Sequence, residues 1–265
     1  MSAIDFHVHA FPDKLAGKAI SRLEASAPWK AVGGGTIKEL VKSMDKADID
    51  VSVVCAIATK PGQSKGILEW CRKVRCDRIA PLPSVHPGDP DAADMLKAIA
   101  KEGLAGIKLH PMYQDFAADD PKMDAIYAAA RDNGLFVVLH CGLDISFPMQ
   151  DDRAAAVRVR NIIDRHAAKD LKLICTHMGG WRAWDEADKR LVGTPVLFET
   201  SFSLKELGPE RAAGMIRRHG VERVLLGSDW PWNSQADAIA QVQALPLTEQ
   251  DKGKVLWSNA ARLLV

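Results

Sequence analysis

Eight apolar runs of strand length recur along the chain, and segments with helical spacing separate them. They are AIDFHVHA at 3–10, VSVVCAIA at 51–58, IAPLPSVH at 79–86, LAGIKLH at 104–110, LFVVLHCG at 135–142, LKLICTHM at 171–178, PVLFETSF at 195–202 and RVLLGSDW at 223–230. Strand–helix alternation of this kind is expected of a parallel sheet built from βα units. Eight such units predict an α/β protein, a (β/α)8 TIM barrel, with a doubly wound open sheet as the competing arrangement. The punctuation agrees: Thr36-x-x-Glu39 resembles a capping box, and Gly103, Gly134 and Gly220 each follow a helix whose last turn holds Lys, Arg or His. The segment TEQDKGKVLWSNAARLLV predicts a final helix. No linker or composition shift divides the chain, so one domain over residues 1–265 is the simplest reading.

The polar residues collect where these runs end. Side chains alternate along a strand, so Asp5, His7 and His9 share a face, and the two histidine Cβ atoms lie roughly 7 Å apart. The first run ends in His7 and His9, the third in His86, the fourth in Lys108 and His110, the fifth in His140, the sixth in His177 and the eighth in Asp229. Glu199 sits late in the seventh. Six of the eight histidines thus end strands, a bias that scattered core histidines would not give. His166 and His219 fall on helices among charged neighbours and read as solvated or helix-terminal.

In a barrel the strand C-termini form the active-site rim. Closure sets the eighth strand beside the first, bringing Asp229 towards His7 and His9, with His140 reaching the same point from across the mouth. A nitrogen/oxygen set of this kind suits a divalent metal, Zn²⁺ first, with Fe²⁺, Mn²⁺ or Co²⁺ as alternatives.

Composition narrows the partners. A formal charge of +1 without a block of like charge argues against nucleic acid or a polybasic membrane surface, leaving a small-molecule substrate. Five cysteines, with no second pair to follow Cys71-x4-Cys76, read as reduced thiols of a cytoplasmic protein. No run reaches membrane-span length and no charged segment precedes an apolar leader. A homo-oligomer is left open.

The ordered set FHVH at 6–9, GIKLHP at 106–111, LHCG at 139–142, THMGG at 176–180, GSDWPW at 227–232 and SNAARLL at 258–264 resembles the amidohydrolase superfamily. The likeness is to the amidohydrolase-related branch that also contains aminocarboxymuconate-semialdehyde decarboxylase-like enzymes. The resemblance implies that His7, His9, His140 and Asp229 occupy metal-ligand positions, and that His177 binds a second metal or acts on substrate. It also places Lys108 as a carbamylated bridge between two ions, against the competing role of an amine that binds a substrate carboxylate. His110 is expected to contact substrate or to support the site from behind.

The expected activity is hydrolysis of an amide, ester or lactone by a metal-activated water, with Asp229 moving the proton and His177 polarising the carbonyl. The alternative within the same branch is non-oxidative decarboxylation of an aromatic or dienoic carboxylate. A barrel that binds metal or ligand without turnover is the third reading. Around this centre, Trp181, Trp184, Trp230 and Trp232 are candidates for an apolar wall, Trp181 foremost as a substrate contact. Gly179-Gly180 is a weak candidate for an anion cradle. Glu199 is expected to meet Lys108 or a substrate amine or hydroxyl, and Cys141 and Cys175 to pack.

Overall fold

The computed structural model describes residues 2–27, 29–166 and 170–264. All eight expected strands form: β1 (Ile4–Val8), β2 (Val51–Cys55), β3 (Ile79–Leu82), β4 (Gly106–Leu109), β5 (Phe136–Leu139), β6 (Leu173–Cys175), β7 (Leu197–Glu199) and β8 (Val224–Leu225). Each is shorter than its apolar run. His9, His110, His140, His177 and Asp229 therefore lie in the connections just after strands, while His7, Lys108 and Glu199 stay inside them. The runs overshoot because burial continues past the ladder while the backbone turns out of it: His177 and Asp229 take left-handed φ of 56° and 63°.

Two compact units make up the chain, one of Met1–Val54, Cys76–Ala80 and Glu199–Val265, the other of Cys55–Arg75 and Pro81–Phe198. In the first, β1 pairs in parallel with β2, Ile4 opposite Val51 and Asp5 opposite Ser52. Along its other edge Phe6 N donates to Leu226 O at 2.8 Å and Asp229 N to His7 O at 2.7 Å, so the eighth strand neighbours the first as expected. In the second, β4, β5, β6 and β7 pair in parallel in sequence order, and Lys108 N donates to Pro83 O at 2.9 Å beside them.

Helices bury one face each. In Ile37–Ala47, capped by the Thr36–Glu39 box, Leu40 and Met44 lie four residues apart and are fully buried. Each such side chain contributes about 1.5–3 kcal/mol. His219, expected to be solvated or helix-terminal, ends helix Pro209–His219 and is fully buried there. His166 is also buried, its Nε2 2.8 Å from Asp124 Oδ1. Both stand at helix ends, one of the two expected roles, but neither is solvated, because helical neighbours in sequence face different directions. Among the described residues no helix is long and apolar enough to cross a membrane.

The expected final helix is not regular: Glu249–Gly253 and Asn259–Leu264 flank a wide, π-type turn at Lys254–Ser258. Asn259 is buried beyond it, and its Nδ2 donates to Val221 O and Val224 O, both at 2.8 Å. The amide thus ties the last helix to the start of β8. Asn259→Ala leaves both carbonyls without that donor and is expected to cost about 2–3 kcal/mol. Urea unfolding measures this; a loss under about 0.5 kcal/mol would show that the tie is not needed.

Candidate metal and active site

In the first unit the centre is built on β1. His7 is buried, and its Nδ1 lies 3.1 Å from Glu199 Oε1. Ser201 holds the same carboxylate, its Oγ donating to Oε1 at 2.7 Å and its N to Oε2 at 2.9 Å. A carboxylate on Nδ1 fixes the proton there and turns the Nε2 lone pair outward, the orientation that metal-binding histidines use. Gly227 makes room for this arrangement, since a Cβ at that position would overlap Glu199 Oε2. Glu199, singled out in the sequence for Lys108 or a substrate group, also orients His7.

Asp229 approaches the two histidines of β1 from the segment after β8. Its Oδ1 lies 3.1 Å from His9 Nε2 and 3.8 Å from His7 Nε2. Ligand atoms bound at about 2.1 Å to one ion sit roughly 3.0–3.4 Å apart, so this donor set fits a divalent cation after a shift of a few tenths of an ångström. The His7 and His9 rings, 5.0 Å apart at 69°, have planes that cross, a geometry in which both can aim at one ion. Beneath them Asp5 is fully buried, and burial pushes its carboxyl up to about 6 against hydrogen bonds that favour ionisation.

The second unit gathers His110, His140 and His177 after β4, β5 and β6. His140 Nε2 lies 3.1 Å from Leu143 O, which places a proton on that nitrogen and leaves Nδ1 as the acceptor. His177 Nε2 lies 3.2 Å from that Nδ1, with the rings at 68°, a spacing and an angle that also suit co-ligation. Burial, then the charges of His110 and His177, hold the His140 imidazole well below its ordinary pKa, so it stays neutral. Lys108, fully buried on β4, is close enough to oppose its protonation too.

Sequence reasoning missed Asp144, whose Oδ2 lies 3.3 Å from His110 Nε2. It stands four residues after His140 in a loop, outside any periodic signal. His110, His140 and Asp144 bring ligand atoms within 4.8 Å of one another. The His110 and His140 rings, however, stack at 4.0 Å and 15°. Nitrogen lone pairs lie in the ring plane, so stacked rings cannot both aim at one ion, and this group is not a chelate. His110, expected to contact substrate or to support the site from behind, has Nε2 facing Asp144 and Nδ1 facing Tyr113 N at 3.5 Å, and its ring stacks on that of His140.

Three of the four tryptophans singled out in the sequence are packed against their own unit. Trp184 Nε1 donates to His177 O at 3.0 Å and locks the turn after β6. Trp230 is buried against Gly33, where a Cβ would come within 2.6 Å of its ring. Trp181 is buried under the Arg182 guanidinium, 4.4 Å from its ring centre, rather than open to a ligand. Gly179 N and Gly180 N donate to Thr176 O and His177 O, so the glycine pair closes a turn and offers no anion cradle. Cys141 and Cys175 are buried, and burial raises the Cys175 thiol well above its usual range, which agrees with packing.

The amidohydrolase family model matches residues 4–264, nearly the whole chain. The chain belongs to the amidohydrolase family. Among solved structures it is similar to an uncharacterized TIM-barrel protein from Bordetella bronchiseptica, with 18% identity, a TM-score of 0.78 and coverage of 100% of this chain and 98% of that one. It is also similar to 5-carboxyvanillate decarboxylase from Sphingomonas paucimobilis, with 17% identity, a TM-score of 0.74 and coverage of 99% and 98%. A third is a dihydroxybenzoic acid decarboxylase from Polaromonas sp. JS666, with bound manganese and the inhibitor 2-nitroresorcinol, at 16% identity, a TM-score of 0.74 and coverage of 99% and 96%. A search of curated proteins by sequence finds no match.

These likenesses establish the fold as a (β/α)8 barrel and exclude the open sheet. They also correct the expected reaction: two of the three neighbours are named decarboxylases and none a hydrolase, which turns the reading away from hydrolysis. The strand-end residues did not separate the two chemistries, because both need the same metal-binding rim. A divalent metal stands; zinc is not singled out.

Proposed function

We propose that this amidohydrolase-family chain is a metal-dependent non-oxidative decarboxylase of a small aromatic or dienoic carboxylate. The observation that carries the reading is the joint presence of the His7–His9–Asp229 donor set and a full-length likeness to barrels named for aromatic-carboxylate decarboxylation. The proposed ligands are His7, His9, His140 and Asp229, with Mn²⁺ as the preferred ion and Zn²⁺ as the second choice; in a two-ion site His177 would join them. A divalent cation bound there supplies a Lewis acid that holds and polarises the substrate oxygens.

Decarboxylation breaks the bond between the ring carbon and the carboxyl carbon. The electron pair stays on the ring carbon, which must then take a proton as carbon dioxide leaves. We assign that proton to His177, which the turn after β6 places with its Nε2 3.2 Å from His140 Nδ1. Asp229 is assigned to accept the proton of a substrate hydroxyl. Lys108, fully buried on β4, is assigned to the substrate carboxylate as an amine, in preference to the carbamate.

Manganese-loaded protein, given a panel of ortho-hydroxylated benzoates and dienoic acids in deuterated water, is expected to release carbon dioxide and place one deuteron on the carbon that lost it. A chelator should stop both. No carbon dioxide from any member of the panel would overturn the proposal.

A further inference from the structure

We infer that Asp5 is a positioning residue that sets metal affinity by fixing the backbone of Asp229, an inference that rests on the metal-site reading above. Asp5 is fully buried on β1, two residues before His7, yet it faces the segment after β8. Its Oδ1 accepts from His7 N at 3.2 Å and Ser228 N at 2.9 Å. Its Oδ2 accepts from Ser228 Oγ and from Gln235 Nε2 at 2.8 Å. Gln235 in turn donates to Ser52 Oγ at 3.0 Å on β2, and Ser228 Oγ accepts from Trp230 N at 3.0 Å.

The consequence lies between those last two residues. Asp229 is flanked by Ser228, pinned to Asp5 through both backbone and side chain, and by Trp230, pinned to the Ser228 hydroxyl. Its own φ is 63°, a left-handed conformation that a non-glycine residue holds where its surroundings fix it. One carboxylate therefore ties together the strand that carries His7 and His9 and the turn that carries Asp229. A ligand already held in its bound conformation avoids the ordering cost of binding, so loosening the clamp should appear as weaker metal binding. The role differs from that of Glu199, which orients a ring; Asp5 orients a main chain and touches no ligand side-chain atom in these contacts.

Calorimetric titration with Mn²⁺ tests this on the full chain. Asp5→Asn and Ser228→Ala are each expected to raise the Mn²⁺ Kd at least tenfold. Asn259→Ala, destabilised in the same unit at the start of β8, where the amide bonds Val221 O and Val224 O and no ligand, should leave it within twofold. Kd values within twofold of wild type in both clamp variants would overturn the inference, and so would an equal rise in Asn259→Ala, which would mark a general stability effect. Should Asp5→Asn fail to fold, Ser228→Ala decides alone. Wild-type protein that binds no Mn²⁺ would remove the metal reading itself, an outcome distinct from normal wild-type binding with unaffected variants.

Discussion

Asp229→Asn is expected to lower kcat/KM for decarboxylation by about a thousandfold or more, with little change in stability. That factor corresponds to about 4 kcal/mol of transition-state stabilisation. The carboxylate lies 3.1 Å from His9 Nε2 and 3.8 Å from His7 Nε2, so the substitution removes both an anionic ligand and the proton acceptor at one stroke. The fold should survive for a backbone reason. Asp229 N bonds to His7 O whatever the side chain is, and asparagine takes left-handed φ as readily as aspartate does. Carbon dioxide release and a urea midpoint, measured on one preparation, separate the two effects. A rate within tenfold of wild type would take Asp229 out of the mechanism.

Glu199→Ala is expected to weaken metal binding by about 10–100-fold, the usual cost of removing the carboxylate behind a ligating histidine. The proton on His7 Nδ1 loses its acceptor at 3.1 Å, and the ring is no longer committed to presenting Nε2. Glu199→Gln should fall between alanine and wild type. Its carbonyl still accepts from Nδ1, but its amide meets the Ser201 N–H, a donor facing a donor. Mn²⁺ titration of the three proteins gives the order; equal affinities would show that His7 needs no such support.

Much of this architecture was legible in the chain. Eight apolar runs became eight strands, the Thr36–Glu39 box formed, and placing the eighth strand beside the first brought Asp229 to His7 and His9. Strand ends were less legible, because hydrophobicity reports burial and burial outlasts the hydrogen-bonded ladder. The supporting residues were the least visible. Asp144 stands at no position that periodicity distinguishes, alternation gave the face of Asp5 but not its partners, and Glu199 pairs with a residue 192 positions earlier in the chain.

The sequence by itself determined the repeating βα order, the parallel sheet and the kinds of donor atom available, because these follow from local periodicity and side-chain chemistry. Only the tertiary structure decided which donors can share an ion. His7 and His9 cross at 69° whereas His110 and His140 lie stacked at 15°, and a ring's plane is set by distant partners such as Glu199 and Asp144, not by its neighbours along the chain.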